Sequence, residues 1–288
     1  MGKDSKIEWT HHTFNPWWGC IEVSPGCDNC YAKAFAKRVG YSENGSQFPI
    51  WGKGTERRLF GDAHWAEPRK WNEAASKAGE RRRVFCGSMC DVMEEHPGVW
   101  EQRFKLFLLI QATPWLDWLL LTKRPQNFRR FLPDSWLSQP RPNVWGMTSV
   151  ESEKQVWRVQ DLVDTPFAVR CVSYGPALGL VDWMPYVGDG TCKKIVPLID
   201  QIIVEGESGH GARPFNIDWA RQTVSQCQAA SVSVFVKQLG ARPFFRPCCK
   251  NPACDRIHSL QLKDKKGGDM DEWPADLRVR EVPGIGTL

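Results

Sequence analysis

The sequence predicts an α/β protein of parallel βα units, closed partly or completely into a TIM-type (β/α) barrel, with a small Cys-rich segment at its C-terminal end. Three observations predict it: short apolar runs recur roughly every 25 to 35 residues, helical stripes separate them, and polar residues follow each run. The runs are 83–87 (RVFCG), 118–122 (WLLLT), 143–149 (NVWGMTS), 167–173 (FAVRCVS), 201–205 (QIIVE) and 232–237 (VSVFVK). Rich in Val, Ile, Leu and Phe, they read as strands covered on both faces.

The helices follow from spacing. Trp100, Phe104, Phe107 and Leu108 fall at i, i+4, i+7 and i+8, the stripe of a helix facing a core. Val156, Val159 and Val163 repeat at i, i+3 and i+7 behind Glu151 and Ser152. Asn216 or Asp218 supplies a cap for a helix through Trp219, Val224 and Cys227. In an α/β barrel, chemistry gathers where strands end. The sequence places Ser88 and Asp91 there, then Thr122-Lys123-Arg124, Ser149 and Glu151, Ser173, Glu205 to Gly209, and Lys237-Gln238. The expected division is residues 1–240 for the barrel with the first cysteine group, and 241–288 for a Cys/His-rich segment and tail.

The chain of 288 residues is 42% hydrophobic, enough for a sizeable core, and this excludes intrinsic disorder. Lys and Arg number 38 against 33 Asp and Glu, a net charge of +5 that is mildly basic. The longest apolar stretch, 107–121, is broken by Gln111, Pro114 and Asp117 and is too short to cross a bilayer. The first residues lack the apolar core of a secretory signal. The expectation is a protein of the cytoplasm, the host's if phage-encoded, with no membrane partner. Eleven Cys without an export signal point to metal or redox chemistry and away from a disulfide framework.

Cys20, Cys27 and Cys30 form a C-x6-C-x2-C group, with Pro25 and Gly26 bending the chain between the first two. A two-residue gap lets a tight loop present two thiolates to one centre. Three thiolates suit a [4Fe–4S] cluster with one iron open; a zinc site wants a fourth ligand, for which His11 and His12 are the local candidates. Free thiols are the third reading. A second group, Cys248, Cys249, Cys254 and His258, matches Cys3His chemistry in ligand type, with Cys192 as a replacement ligand. It reads as zinc, as a second iron–sulfur cluster, or as no metal site. In Glu205-Gly206-Glu207-Ser208-Gly209, two acids flank a glycine, so Glu205 and Glu207 are candidate acid/base groups. Lys237 at the last strand is a candidate for contact with substrate.

Ordered along the chain are SKIEWT, NPWWGC, SPGCDNCYA, VFCGSMCD, LLTKRP, NVWGMTSVE, VEGESGHGARPF, DWARQTVSQC, VFVKQLG and KGGDMDEWPADLRVREVP. On these segments the chain is identified as a member of the phage Gp37/Gp68 family, three-Cys-motif proteins of the DUF5131 type that resemble radical S-adenosylmethionine (SAM) enzymes. The resemblance implies a radical-SAM-like barrel in which Cys20, Cys27 and Cys30 hold a [4Fe–4S] cluster and SAM chelates the fourth iron. It further implies SAM contacts from Gly87 and Ser88 (ammonium), Lys123 or Arg124 (carboxylate), Ser149 and Glu151 (ribose), and Ser173, Gly206 and Ser208. An electron donor such as flavodoxin or ferredoxin goes with that chemistry, and the substrate expected is DNA or a nucleotide, for modification or repair. In the segment CVSYGP, Gly175 stands where the family pattern has an acid. A second function class, a zinc-stabilised nucleic-acid-binding protein without catalysis, rests on the two cysteine groups and the basic runs 81–83 and 123–130.

Overall fold

The six apolar runs read as strands all form strands, and a seventh, short one precedes them. The structure, a computed structural model, describes residues 2–41, 49–188, 197–246 and 257–284. The chain divides into two units, Met1–Thr148 with Gln160–Arg170, and Ser149–Val159 with Cys171–Leu288.

In the first unit the elements are β1 (His12–Phe14), α1 (Tyr31–Arg38), α2 (Asp62–Ala78), β2 (Arg82–Cys86), α3 (Trp100–Gln111), β3 (Leu116–Thr122), α4 (Phe128–Phe131), α5 (Asp134–Ser138) and β4 (Val144–Ser149). Strands β1, β2, β3 and β4 lie side by side in that order, all parallel, with Phe14 opposite Cys86, Cys86 opposite Leu120 and Leu120 opposite Gly146. Every residue of β4 is buried, as is all of β3 but Leu121, which is how a parallel strand covered on both faces behaves. Asp117, buried within β3, is answered by Arg81, whose Nε donates to both carboxylate oxygens at 2.9 and 3.2 Å.

Helix α3 corrects the sequence reading. The helix is there, but Trp100, Phe104 and Leu108 are exposed, and the buried face carries Arg103, Leu106, Phe107, Leu109 and Ile110. Arg103 is buried because its Nε donates to Val92 O at 2.8 Å and its Nη2 to Glu94 O. Helix α2 was not foreseen. It runs through Pro68 and ends on Gly79 in the left-handed conformation, and it buries Trp65, Pro68, Trp71 and Ala75 along one stripe. The abundant tryptophan is largely core: Trp17, Trp118, Trp145, Trp183 and Trp273 are among the largest fully buried side chains.

The division between the units runs through α6 (Trp157–Val163) and β5 (Val169–Tyr174), and the second unit continues with α7 (Met184–Val187), β6 (Gln201–Glu205), β7 (Phe215–Asn216), α8 (Ile217–Ala229), β8 (Ser233–Gln238), β9 (Pro243–Phe245) and β10 (His258–Ser259). Strands β5, β6 and β8 are parallel neighbours, and a register irregularity between Val204 and Glu205 sets Glu205 opposite Gln238. A smaller sheet joins β7, β9 and β10. Asn216 caps α8, its side chain accepting from Asp218 N at 3.1 Å. The chain after residue 277 lies along β8: Val236 N donates to Val279 O and Glu281 N to Val234 O, both at 2.9 Å, and this covers a strand edge. The tail is therefore built into the same unit as β5, β6 and β8. Parallel βα units of this kind, in both units, make the chain α/β and are the content of a partial α/β barrel.

Candidate functional site

The cysteine loop begins where β1 ends. Gly87 N donates to Phe14 O at 3.2 Å, Asn15 Oδ1 accepts from Met89 N at 2.7 Å, and Asn15 Nδ2 donates to Ser88 Oγ at 3.0 Å. These bonds tie the exit of β1 to the exit of β2. Gly19 follows with φ +108°, and its N–H donates to Met89 O at 3.0 Å. Ser24 to Cys27 form a tight turn, as Pro25 and Gly26 led one to expect, with Cys27 N donating to Ser24 O at 2.8 Å. Cys30 N donates to Cys27 O at 3.2 Å, and Cys30 stands at the N-cap of α1, its backbone carbonyl accepting from Ala34 N at 3.0 Å. Tyr31 Oη donates to Ser88 O at 2.8 Å and returns the loop to the end of β2. Cys20 and Cys30 both pack on one apolar cluster of Ala32, Ala36, Ile50, Trp51 and Met89. The thiols share one loop, but among the described residues no three His, Cys, Asp or Glu side chains are already gathered to hold a metal.

Charged groups from the ends of β2 and β3 close around Cys20. Asp91 accepts from Thr122 Oγ1 at 2.5 Å, from Lys123 N at 3.0 Å, from Met93 N at 3.0 Å and from Arg124 Nη1 at 2.8 Å. Burial opposes the charge on Asp91, yet Arg124 and these donors hold its carboxyl below the usual range. Arg124 is opposed by burial in the same way and is held above its usual value by Asp91. Burial, then the Asp91 and Glu94 carboxylates, push the Cys20 thiol up. Cys86 and Cys90 are buried thiols raised by burial, and they belong to the core.

His11 and His12 do not serve the cysteine loop. They stand at the opposite end of β1, where His11 Nδ1 accepts from Arg83 N at 2.8 Å and His12 stacks on Trp71 with ring centroids 4.6 Å apart. Desolvation, with Arg83 and Arg82 nearby, lowers His11 to about 4. Both rings line a separate cavity of about 600 Å³ with Lys3, Lys70, Trp71 and Arg82.

In the second unit, ion pairs stand at or just past the strand ends. Lys237 Nζ donates to Glu205 Oε2. Arg213 donates to Glu207 Oε2 from its backbone N at 2.8 Å and from Nε at 2.9 Å. Arg158 Nη1 pairs with Glu151 Oε2 at 3.0 Å, and both side chains are buried. Val150 N donates to Ser173 O, Leu178 N to Glu151 O and Ala177 N to Glu205 O, so the loops after β4 and β5 and the end of β6 are stitched together. Gly206 is a packing position, because a Cβ there would sit 2.9 Å from the Phe215 ring and closer still to Leu239 O. Gly175 matters for another reason. A Cβ on it would lie 2.5 Å from Glu205 Oε1 and 2.8 Å from Glu205 Cδ, so the Glu205 carboxylate fills the space in which a side chain at 175 would begin. Gly175→Ala is therefore expected to swing Glu205 off Lys237 and destabilise the protein by about 1–3 kcal/mol. In a double-mutant cycle with Glu205→Ala by urea unfolding, the two losses are expected to fall short of additivity by at least about 0.5 kcal/mol. Simple addition would show that the two positions do not compete.

A family model described as "Protein of unknown function (DUF5131)" matches residues 4–270. The chain belongs to the DUF5131 family. No curated protein and no solved structure matches it. The match takes in the cysteine loop and all seven strands of the parallel set, so both groups of strand-end residues belong to this DUF5131 chain's family-matched part.

In this DUF5131 protein, Gly87 and Ser88 stand at the end of β2 and Lys123 and Arg124 at the end of β3, with Cys20 Sγ 3.7 Å from Arg124 Nη1 and Cys27 and Cys30 further along the same loop. Ser149, Glu151, Ser173, Glu205, Gly206, Glu207 and Lys237 lie at the strand ends and following loops of the second unit, with Ser208 half-buried beyond them. Several are already engaged. Arg124 is tied to Asp91, and Glu151 to Arg158, so a carboxylate clamp at Arg124 and a ribose contact at Glu151 would each have to share their present partner. Cys192, Cys248, Cys249 and Cys254 lie outside the described residues; His258 is exposed in β10, its ring 5.5 Å from Phe245. Sequence reasoning missed Asn15, Arg57, Glu94 and Arg158. Asn15 alone carries a local signal, an amide directly past a strand end, which most loops also carry; Glu94 lies eight residues past β2, Arg57 in the segment before α2 and Arg158 inside α6.

Proposed function

We propose that this DUF5131 protein is an iron–sulfur enzyme of the radical-SAM type from the Gp37/Gp68 group, with Cys20, Cys27 and Cys30 as cluster ligands. The observation that carries the reading is the position of the cysteine loop, which leaves the carboxyl end of the first parallel strand and is held by groups from the ends of the next two. Strand carboxyl ends are where α/β proteins place their chemistry. The donor set fits the group: three sulfurs within eleven residues leave one iron for a small molecule, and Arg124 Nη1 lies 3.7 Å from Cys20 Sγ. Hydrogen bonds and charges of this kind around ligand sulfurs tune a cluster's potential. When bound, such a cluster supplies one-electron reduction, which with SAM gives reductive cleavage to a 5′-deoxyadenosyl radical. The chain's own part is to hold the ligands, keep water from Cys20 and Cys30 with the apolar cluster, and orient a substrate. Glu205 and Lys237, hydrogen-bonded to each other and partly exposed, are the groups suited to hold or move a proton at Glu205 Oε2.

The nucleic-acid reading draws less support from the folded chain. Arg81 is paired with Asp117, Arg82 with Glu80 and Arg124 with Asp91, while Arg83 donates to Trp9 O, Arg129 to Asp164 O and Arg130 to Glu95. Arg81 and Arg124 are thus committed to buried acids, while Arg82 and Arg130 stay exposed in their pairs, and the loss of two cations from the basic runs weakens the binding-module alternative more than the enzyme.

Purification without oxygen, followed by iron, sulfide and zinc analysis and electron paramagnetic resonance, tests the proposal. The expected result is about four iron and four sulfide per chain, a reduced-cluster signal that SAM perturbs, and loss of both in Cys27→Ala. Stoichiometric zinc without sulfide would overturn it.

A further inference from the structure

We infer that Glu94 and Arg124 are positioning residues for Cys20, gripping the Ile21 backbone from both sides and so fixing where the first sulfur stands; the inference rests on the cysteine loop being the ligand loop. Ile21 N donates to Glu94 Oε1 at 2.7 Å, and Ile21 O accepts from Arg124 Nη2 at 2.7 Å. Ile21 O also accepts from Cys20 Sγ at 3.3 Å, while the other terminal nitrogen of Arg124 reaches Cys20 Sγ at 3.7 Å. Backbone and thiol are therefore read by one guanidinium, whose planar fork can serve two acceptors at once.

Neither gripping group is free to drift. Glu94 is held bidentately by Arg57, with Nε to Oε2 and Nη2 to Oε1 both at 2.9 Å and the two side chains 0% and 1% exposed. Arg57 Nη1 in turn donates to Ile50 O at 3.1 Å and Thr55 O at 2.9 Å, anchoring the segment whose Ile50 and Trp51 pack under Cys20 and Cys30. On the other side Arg124 is fixed by Asp91, and Asp91 by Thr122 at the end of β3. A continuous chain of charged hydrogen bonds runs from the 50–57 segment through Ile21 to the sheet. Buried ion pairs of this kind are poor sources of net stability, because desolvation offsets their attraction. Their use here is geometric. Arg124 is also the cation that reaches Cys20 Sγ, and with a cluster present a cation beside a ligand sulfur favours the cluster's more negative, reduced form.

The test uses the full chain in two states. In metal-free protein under native conditions, Arg124→Gln is expected to speed alkylation of Cys20 about tenfold by loosening local closure, with Cys27 unchanged and Arg124→Lys between variant and wild type. Arg81→Met, which breaks the Arg81–Asp117 pair away from the loop, serves as the control for general loosening. In reconstituted protein, Arg124→Gln is expected to lower the cluster's midpoint potential. A Cys20 rate within about twofold of wild type, an equal acceleration in Arg81→Met, or an unchanged potential would each overturn the inference. Failure of wild type to take up iron and sulfide would instead sink the iron–sulfur reading, and the alkylation arm would still decide whether the grip exists.

Discussion

Arg57→Met is expected to lower the unfolding free energy by about 3–5 kcal/mol, the cost of stranding one partner of a buried ion pair. Arg57 and Glu94 lie out of water together, and every donating nitrogen of Arg57 has a described acceptor: Glu94, Ile50 O or Thr55. Methionine keeps much of the volume but removes all three donors. Glu94 would keep only Ile21 N, the Ile50 carbonyl would lose its Arg57 donor, and the Thr55 carbonyl would keep only His96 Nε2. The double variant Arg57→Met/Glu94→Leu is expected to recover part of the loss, because two apolar groups in contact are cheaper to bury than one unpaired carboxylate. Recovery stays incomplete, since Ile21 N–H then lacks its acceptor at about 1–3 kcal/mol. Urea unfolding with an unchanged slope is the measurement. A loss below about 1 kcal/mol for the single variant would mean that water reaches the pair.

What could be read from sequence follows from what each element asks of its residues. Strands such as WLLLT and QIIVE are covered on both faces, so continuous apolar runs announce them without any knowledge of their neighbours. The first strand is His-Thr-Phe, three residues long with two of them polar, and gives no such run. In α3 apolar side chains lie on every side, so a periodic reading selects a stripe without knowing which side the sheet takes. Here Arg103 turned the choice, because two backbone carbonyls await its guanidinium. Helix α2 hid behind Pro68, which usually ends a helix pattern.

The same contrast divides the candidate site. Cys20, Cys27 and Cys30 are legible because ligands of one loop must be close in sequence. The residues that hold them are not, since Ile21 meets Glu94 across 73 positions, Cys20 meets Arg124 across 104, and Arg57 meets Glu94 across 37. Nothing local marks Glu94 apart from its neighbour Glu95, yet the first is wholly buried and the second faces solvent in a pair with Arg130.

Gly19→Ala should have an effect of similar size, and for two reasons that add. At φ +108° an L side chain strains the backbone by about 1–3 kcal/mol. The space is also taken: a Cβ would sit 2.9 Å from Arg57 Cδ and far inside contact distance of Ile50 O. A backbone carbonyl cannot swing aside as a side chain can, so overpacking adds about 1–3 kcal/mol. Relief requires either that the 50–57 segment move, which pulls Arg57 from Glu94, or that Gly19 change its φ, which re-aims Cys20. Both routes reach the ligand loop. Gly19→Ala is therefore expected to lose iron uptake and sulfide along with stability, while a variant of equal instability away from the loop, such as Arg81→Met, keeps its iron when assayed well below its melting temperature. If Gly19→Ala bound iron as wild type does despite its lower stability, the close fit of Gly19 against Ile50 would have no bearing on the sulfur ligands.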